Sequence, residues 1–97
     1  MTPATYSSAR ADLMSALGEP TWSGNVRIDM RATFWFLRDQ GGRVSLYESG
    51  GAVWVETAHA DDMRASVYQI EGGGALTPLP EVVDTAAKWW RERSGAS

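Results

Sequence analysis

The sequence predicts an α+β domain of two layers: an N-terminal helix, an antiparallel β-meander of four to five strands, and a C-terminal helix. Two observations carry this expectation. Apolar residues recur at helical spacing near the two ends of the chain. Between Trp22 and Ile70 the pattern changes to period two, rich in β-branched and aromatic residues and punctuated by glycine-containing turns. The 97 residues suit one domain, and 43% apolar with 22% charged residues is the composition of a chain that folds.

The first helix is expected over residues 3–17. Tyr6, Ala9, Leu13 and Leu17 share one face, with Ala16 beside them. Pro3 suits the first helical position, where a missing N–H has no intrahelical partner to lose, and Thr2 is placed to cap it. Gly18 followed by Pro20 stops the helix.

Val26, Ile28 and Met30 alternate with Asn25, Arg27 and Asp29, as in a strand with one dry and one wet face. Residues 32–37 (Ala-Thr-Phe-Trp-Phe-Leu) are apolar on both sides, as a central strand is. The turn Asp39-Gln40-Gly41-Gly42 leads into a strand at 43–48, and Ser49-Gly50-Gly51 leads into another at 52–57. A polar connection through His59, Asp61 and Asp62 precedes a last strand at 63–70, ended by Gly72-Gly73-Gly74. The second helix is expected over 80–93. Pro80 and Glu81 suit its first turn, Arg91 and Arg93 its last, and Asp84 and Lys88 form an i,i+4 pair in the favourable order.

Residues opposite one another in a hairpin point to the same side of the sheet, so turn length decides which side chains share a face. An even-numbered loop at Gly50 groups Val44, Leu46, Val53 and Val55, and leaves Ser45, Tyr47, Trp54 and Glu56 on the other face. The first hairpin admits two registers. A three-residue loop puts Phe34 and Phe36 on the aliphatic face and Trp35 with Tyr47 and Trp54; a four-residue loop exchanges them. If both helices cover the aliphatic face, the aromatic face stays bare. If they divide, one to each face, its rings are core.

Five tryptophans, where average usage gives roughly one, make the aromatic distribution the main clue to function. Adjacent helical residues lie about 100° apart, so Trp89 and Trp90 cannot both face one partner. Trp90, in phase with Val83 and Ala87, is placed inside and Trp89 outside, while Trp22 is placed at the open end of the sheet to close the domain.

The chemical signals are sparse. Nine basic against twelve acidic residues give a net charge of −3, the opposite of what a polyanion or an anionic membrane attracts. The chain has no cysteine, which removes disulfides, thiolate metal sites and a cysteine nucleophile together. The first residues do not read as a signal peptide, and no run approaches the roughly 18 apolar residues of a membrane span, so a cytoplasmic protein is expected. His59 with Asp61 and Asp62 lacks the number and spacing of metal ligands and reads as a solvated loop. The glycine clusters do not open helices and so read as turns, and the serines have no evident base. A carboxylate pair can be drawn from Asp29, Glu48 and Glu56, because strands bring distant acids together, but these acids read first as solvated surface. An aromatic sheet can also bind single-stranded nucleic acid if Arg27, Arg31, Arg43 and Arg64 gather beside Tyr47 and Trp54.

The helix stop Leu17-Gly18-Glu19-Pro20-Thr21 resembles the corresponding junction of β-lactamase-inhibitor-protein-like modules, which bind other proteins; no functional residue is carried over from it. The sequence therefore points to a non-enzymatic protein-binding domain, of inhibitor, immunity or adaptor type. Its candidate contact residues are Trp35, Arg43, Tyr47, Trp54 and Trp89. The expected partner is another protein or a second copy in a homodimer, with single-stranded nucleic acid a lesser alternative and no cofactor, metal or membrane.

Overall fold

A computed structural model describes residues 5–37, 41–59, 65–74 and 76–93. The order of elements is α1 (Tyr6–Leu17), β1 (Trp22–Arg27), β2 (Met30–Leu37), β3 (Gly42–Ser49), β4 (Ala52–His59), β5 (Ser66–Glu71) and α2 (Leu79–Arg93). The five strands form one antiparallel sheet in the order β1-β2-β3-β4-β5, a simple meander. Both helices lie on the same face. α1 packs on α2 and β3, and α2 on β3, β4 and β5.

The α1 N-terminus differs from the expected one. Thr5 caps it, accepting from the Ser8 amide while the Ser8 hydroxyl accepts from the Thr5 amide, a reciprocal box that satisfies two otherwise unpaired donors. The helix starts at Tyr6; Thr2 and Pro3 lie outside the described residues. The Gly18 amide closes its last turn on the Met14 carbonyl at 2.8 Å.

The stretch read as one strand over residues 25–30 is two strands joined at Ile28-Asp29. Ile28 is fully exposed at the turn, and a register shift at Asn25/Arg27 bulges the edge strand. The alternation of Val26, Ile28 and Met30 continued through this turn and concealed it. The last strand begins at Ser66; residues 60–64, with Asp61, Asp62 and Arg64, lie outside the described set. At the β3–β4 hairpin Ser49 faces Ala52, and Gly50 and Gly51 have φ of 58° and 83°. A two-residue turn that matches strand twist needs positive φ at both positions, and glycine adopts it without a Cβ clash.

The core lies between sheet and helices. Trp35, Val44, Leu46, Val53 and Val55 from the sheet meet Tyr6, Ala9 and Leu13 of α1 and Val82 and Ala86 of α2. At roughly 1.5–3 kcal/mol for each large side chain removed from water, this layer dominates the folding free energy. It contains one buried polar hub. The Thr33 and Tyr6 hydroxyls hydrogen bond at 2.5 Å, and Ser23 Oγ donates to Thr33 Oγ1 at 3.1 Å, tying α1 to β1 and β2.

Candidate protein-binding face

The register of the β2–β3 hairpin decides which side chains lie on the face away from the helices. Leu37 pairs with Gly42, so four residues separate the paired ends of β2 and β3, and Trp35 pairs with Val44 on the helix side. Trp35 is 1% exposed, and its Nε1–H donates to the Gly18 carbonyl at the end of α1 (3.0 Å). Of the two registers open from sequence, the one that made Trp35 a contact residue is therefore corrected: Trp35 is core. Phe34 and Phe36 take its place beside Tyr47.

With strand side chains alternating between faces, the register places Trp22, Phe34, Phe36, Tyr47 and Trp54 together on the face away from the helices. The rings touch in an unbroken series across β1 to β4. Trp22 stacks on Phe34 at 5.5 Å, Phe34 on Phe36 at 5.6 Å, and Tyr47 on Trp54 at 5.6 Å, while Phe34 meets Tyr47 edge-on at 5.8 Å. Trp22 and Phe36 are each 43% exposed, and Val67 of β5, opposite Glu56, extends the apolar surface at 59%. Trp22 therefore does not close the end of the domain. Its indole lies over Gly24, where a Cβ would sit 2.8 Å from the ring. The face is an exposed aromatic cluster, of the kind that marks interaction surfaces.

Arg43 belongs to this face. Its Nε–H donates to Ser45 at 2.9 Å and its Nη2 pairs with the Glu56 carboxylate. The hydrogen bond that Arg43 donates to Glu56 holds the guanidinium proton more tightly than in a free arginine, with partial burial opposing the effect. Its charge is thus balanced within the face. Beyond Phe36 and Arg43 a shallow hollow of about 590 Å³ opens towards Ala58, Thr21 and His59.

Trp89 is on the other side of the sheet. It is half-buried against the core, near where a Gly42 Cβ would lie (3.2 Å), with the Arg93 guanidinium 4.8 Å from its ring centre. Trp90 is likewise half-buried against the core. The expected division of inner Trp90 and outer Trp89 is thus replaced by two tryptophans that both help close the helix layer. The sheet-facing phase of α2 is Val82, Ala86 and Trp89, one residue behind the phase read from sequence.

The charged residues that could carry other chemistries are divided between the two faces of the sheet. Glu56 is on the open face with Arg43, whereas Glu48 is on the helix face with Arg31 (2.6 Å), so these acids form no pair across a cleft. The Arg31 guanidinium sits 4.1 Å from the Tyr6 ring centre beneath the helices, leaving Arg43 as the arginine beside Tyr47 and Trp54 among the described residues. His59 is the last residue of β4, half-buried beside Gly42, rather than part of a solvated loop. No group of three or more metal-ligating side chains occurs among the described residues. No described helix is long and apolar enough to cross a membrane.

Comparison with protein-family models, with curated proteins and with solved structures returns no match for this chain.

Proposed function

We propose that this chain is a non-enzymatic protein-binding domain, of inhibitor, immunity or adaptor kind, whose contact surface is the open face of the sheet. The observation that carries this reading is the continuous series of five rings on the face that neither α1 nor α2 covers. Tyr, Trp and Arg are the side chains that concentrate binding energy at protein interfaces, and Tyr47, Trp54, Trp22 and Arg43 meet here.

The way the rings are packed favours a protein over a single-stranded nucleic acid. Base stacking needs free ring faces and a positive groove. Three of the four ring pairs are near-parallel, at 27–28°, so ring faces are already turned towards one another, and the arginine of the cluster is neutralised by Glu56. What remains for a partner is a broad apolar relief of ring edges with a polar pair at one margin, as in an interface with an apolar centre and a polar rim.

The test compares affinity capture by the wild-type domain with capture by Tyr47→Ser and Trp54→Ala, each checked for native circular dichroism. Proteins retained by the wild type and released by both folded variants support the reading. An unchanged set of retained proteins overturns it.

A further inference from the structure

We infer that the occupant of the open sheet face is a second copy of this chain, the two sheets packing face to face about a twofold axis with the helices outside. This rests on the reading of that face as a protein-contact surface and commits it to one partner. Two observations carry it, breadth and charge.

Five strands spaced roughly 4.8 Å apart and up to eight residues long, at about 3.3 Å per residue, give the face a flat footprint on the order of 500 Å². Side-chain relief raises the accessible area towards the roughly 800 Å² that each partner of a standard interface contributes. Only an occupant about as broad as this sheet covers the rings. A peptide lying along one strand leaves most of them in water, whereas a second open sheet packs at about 10 Å and interdigitates its side chains.

A surface that meets its own copy must not repel itself. Across β2, β3 and β4 the only charges on this face are Arg43 and Glu56, and they are paired with each other. A chain of net charge −3 thus presents a locally neutral surface across these three strands, whose other charges, Arg31 and Glu48, are paired on the helix side, while Arg27 and Glu71 stand at the ends of the two edge strands. An isologous contact uses each residue twice, so each substitution counts twice.

Sedimentation velocity from 1 to 200 µM, on the wild type and on Trp54→Arg, Phe36→Arg and Lys88→Ala, tests this. Lys88 is exposed on α2 and serves as the control. Phe36 is 43% exposed, so its substitution remains informative where Trp54→Arg fails to fold. The expected result is a species of twice the 10.6 kDa chain mass for the wild type and Lys88→Ala, and a dissociation constant raised on the order of a thousandfold in the face variants. A wild-type monomer at 200 µM overturns self-association, and the contact-face reading then stands or falls separately on capture by Tyr47→Ser and Trp54→Ala. A dimer unaffected by both arginine substitutions also overturns it, because the seam then lies elsewhere.

Discussion

Replacing Trp35 and Trp54 separately by alanine measures the asymmetry of the sheet. Trp35 is 1% exposed in the core cluster, so losing its ring costs the ~3–5 kcal/mol typical of Trp→Ala in a packed interior. Loss of its hydrogen bond to Gly18 adds little, since the exposed carbonyl can turn to water. Trp54 is half-buried on the open face and gains one resolved ring partner, Tyr47. About half of a large side chain's burial plus one aromatic pair comes to roughly 1.5–2.5 kcal/mol. A domain of this length has on the order of 5–15 kcal/mol of stability in total, and loses about 4–8 °C of melting temperature per kcal/mol. Trp35→Ala is therefore expected to melt ~12–40 °C lower, and Trp54→Ala ~6–20 °C lower. Urea titration followed by far-UV circular dichroism at 2 µM separates the two without relying on tryptophan emission. An equal or larger cost at Trp54 refutes the assignment of faces. A Trp54 cost that grows between 2 and 100 µM is instead the contribution of self-association.

Thr33→Val removes the hydroxyl shared by Tyr6 and Ser23 and leaves the buried phenol without its partner, so ~1–3 kcal/mol of stability should be lost. The double variant with Tyr6→Phe should cost less than the sum of the singles in a urea double-mutant cycle, since it removes both ends of one bond. Gly24→Ala places a methyl 2.8 Å from the Trp22 indole and must lift the ring off its seat. Stability should change by less than ~1 kcal/mol, because the ring is half exposed and alanine restricts the unfolded chain, whereas capture or self-association through the face should weaken. Thermal melts beside the binding assay check both halves of that expectation.

Much of the fold was legible because its signals are local. The helix periods, the Gly50-Gly51 turn and the alternation of Val44 and Leu46 with Ser45 and Tyr47 each depend on residues close in sequence. What escaped depends on parity or on angular phase. The Ile28-Asp29 turn has no glycine and continues the alternation of its neighbours. Trp89 and Trp90 differ by about 100° on a helix whose apolar side is broad enough to hold both. Phe34 and Phe36 were missed, and Trp35 wrongly exposed, through one residue of loop length. The signal that distinguishes the registers is Gly41: at φ 68° it ends the loop, while Gly42 already pairs with Leu37 as the first residue of β3.

That single residue of loop length divides the aromatic run of β2 between the two faces of the sheet. In β2 the aromatic run Phe34-Trp35-Phe36 supplies both faces, with the tryptophan anchored inward by Gly18 and the two phenylalanines turned outward. Neither amount of hydrophobicity nor aromatic content distinguishes the three. The inward position is held by packing against α1 and α2, which the topology sends to the same side because the meander ends with its last strand beside β4 and its connection returns α2 over β3, β4 and β5. Had α2 returned on the opposite side, it would lie over Tyr47, Trp54 and Phe34 and leave the Val53 and Val55 side of the sheet without its cover. The exposed rings are therefore a consequence of where α2 lies, and their stacking on one another limits the apolar area shown to water.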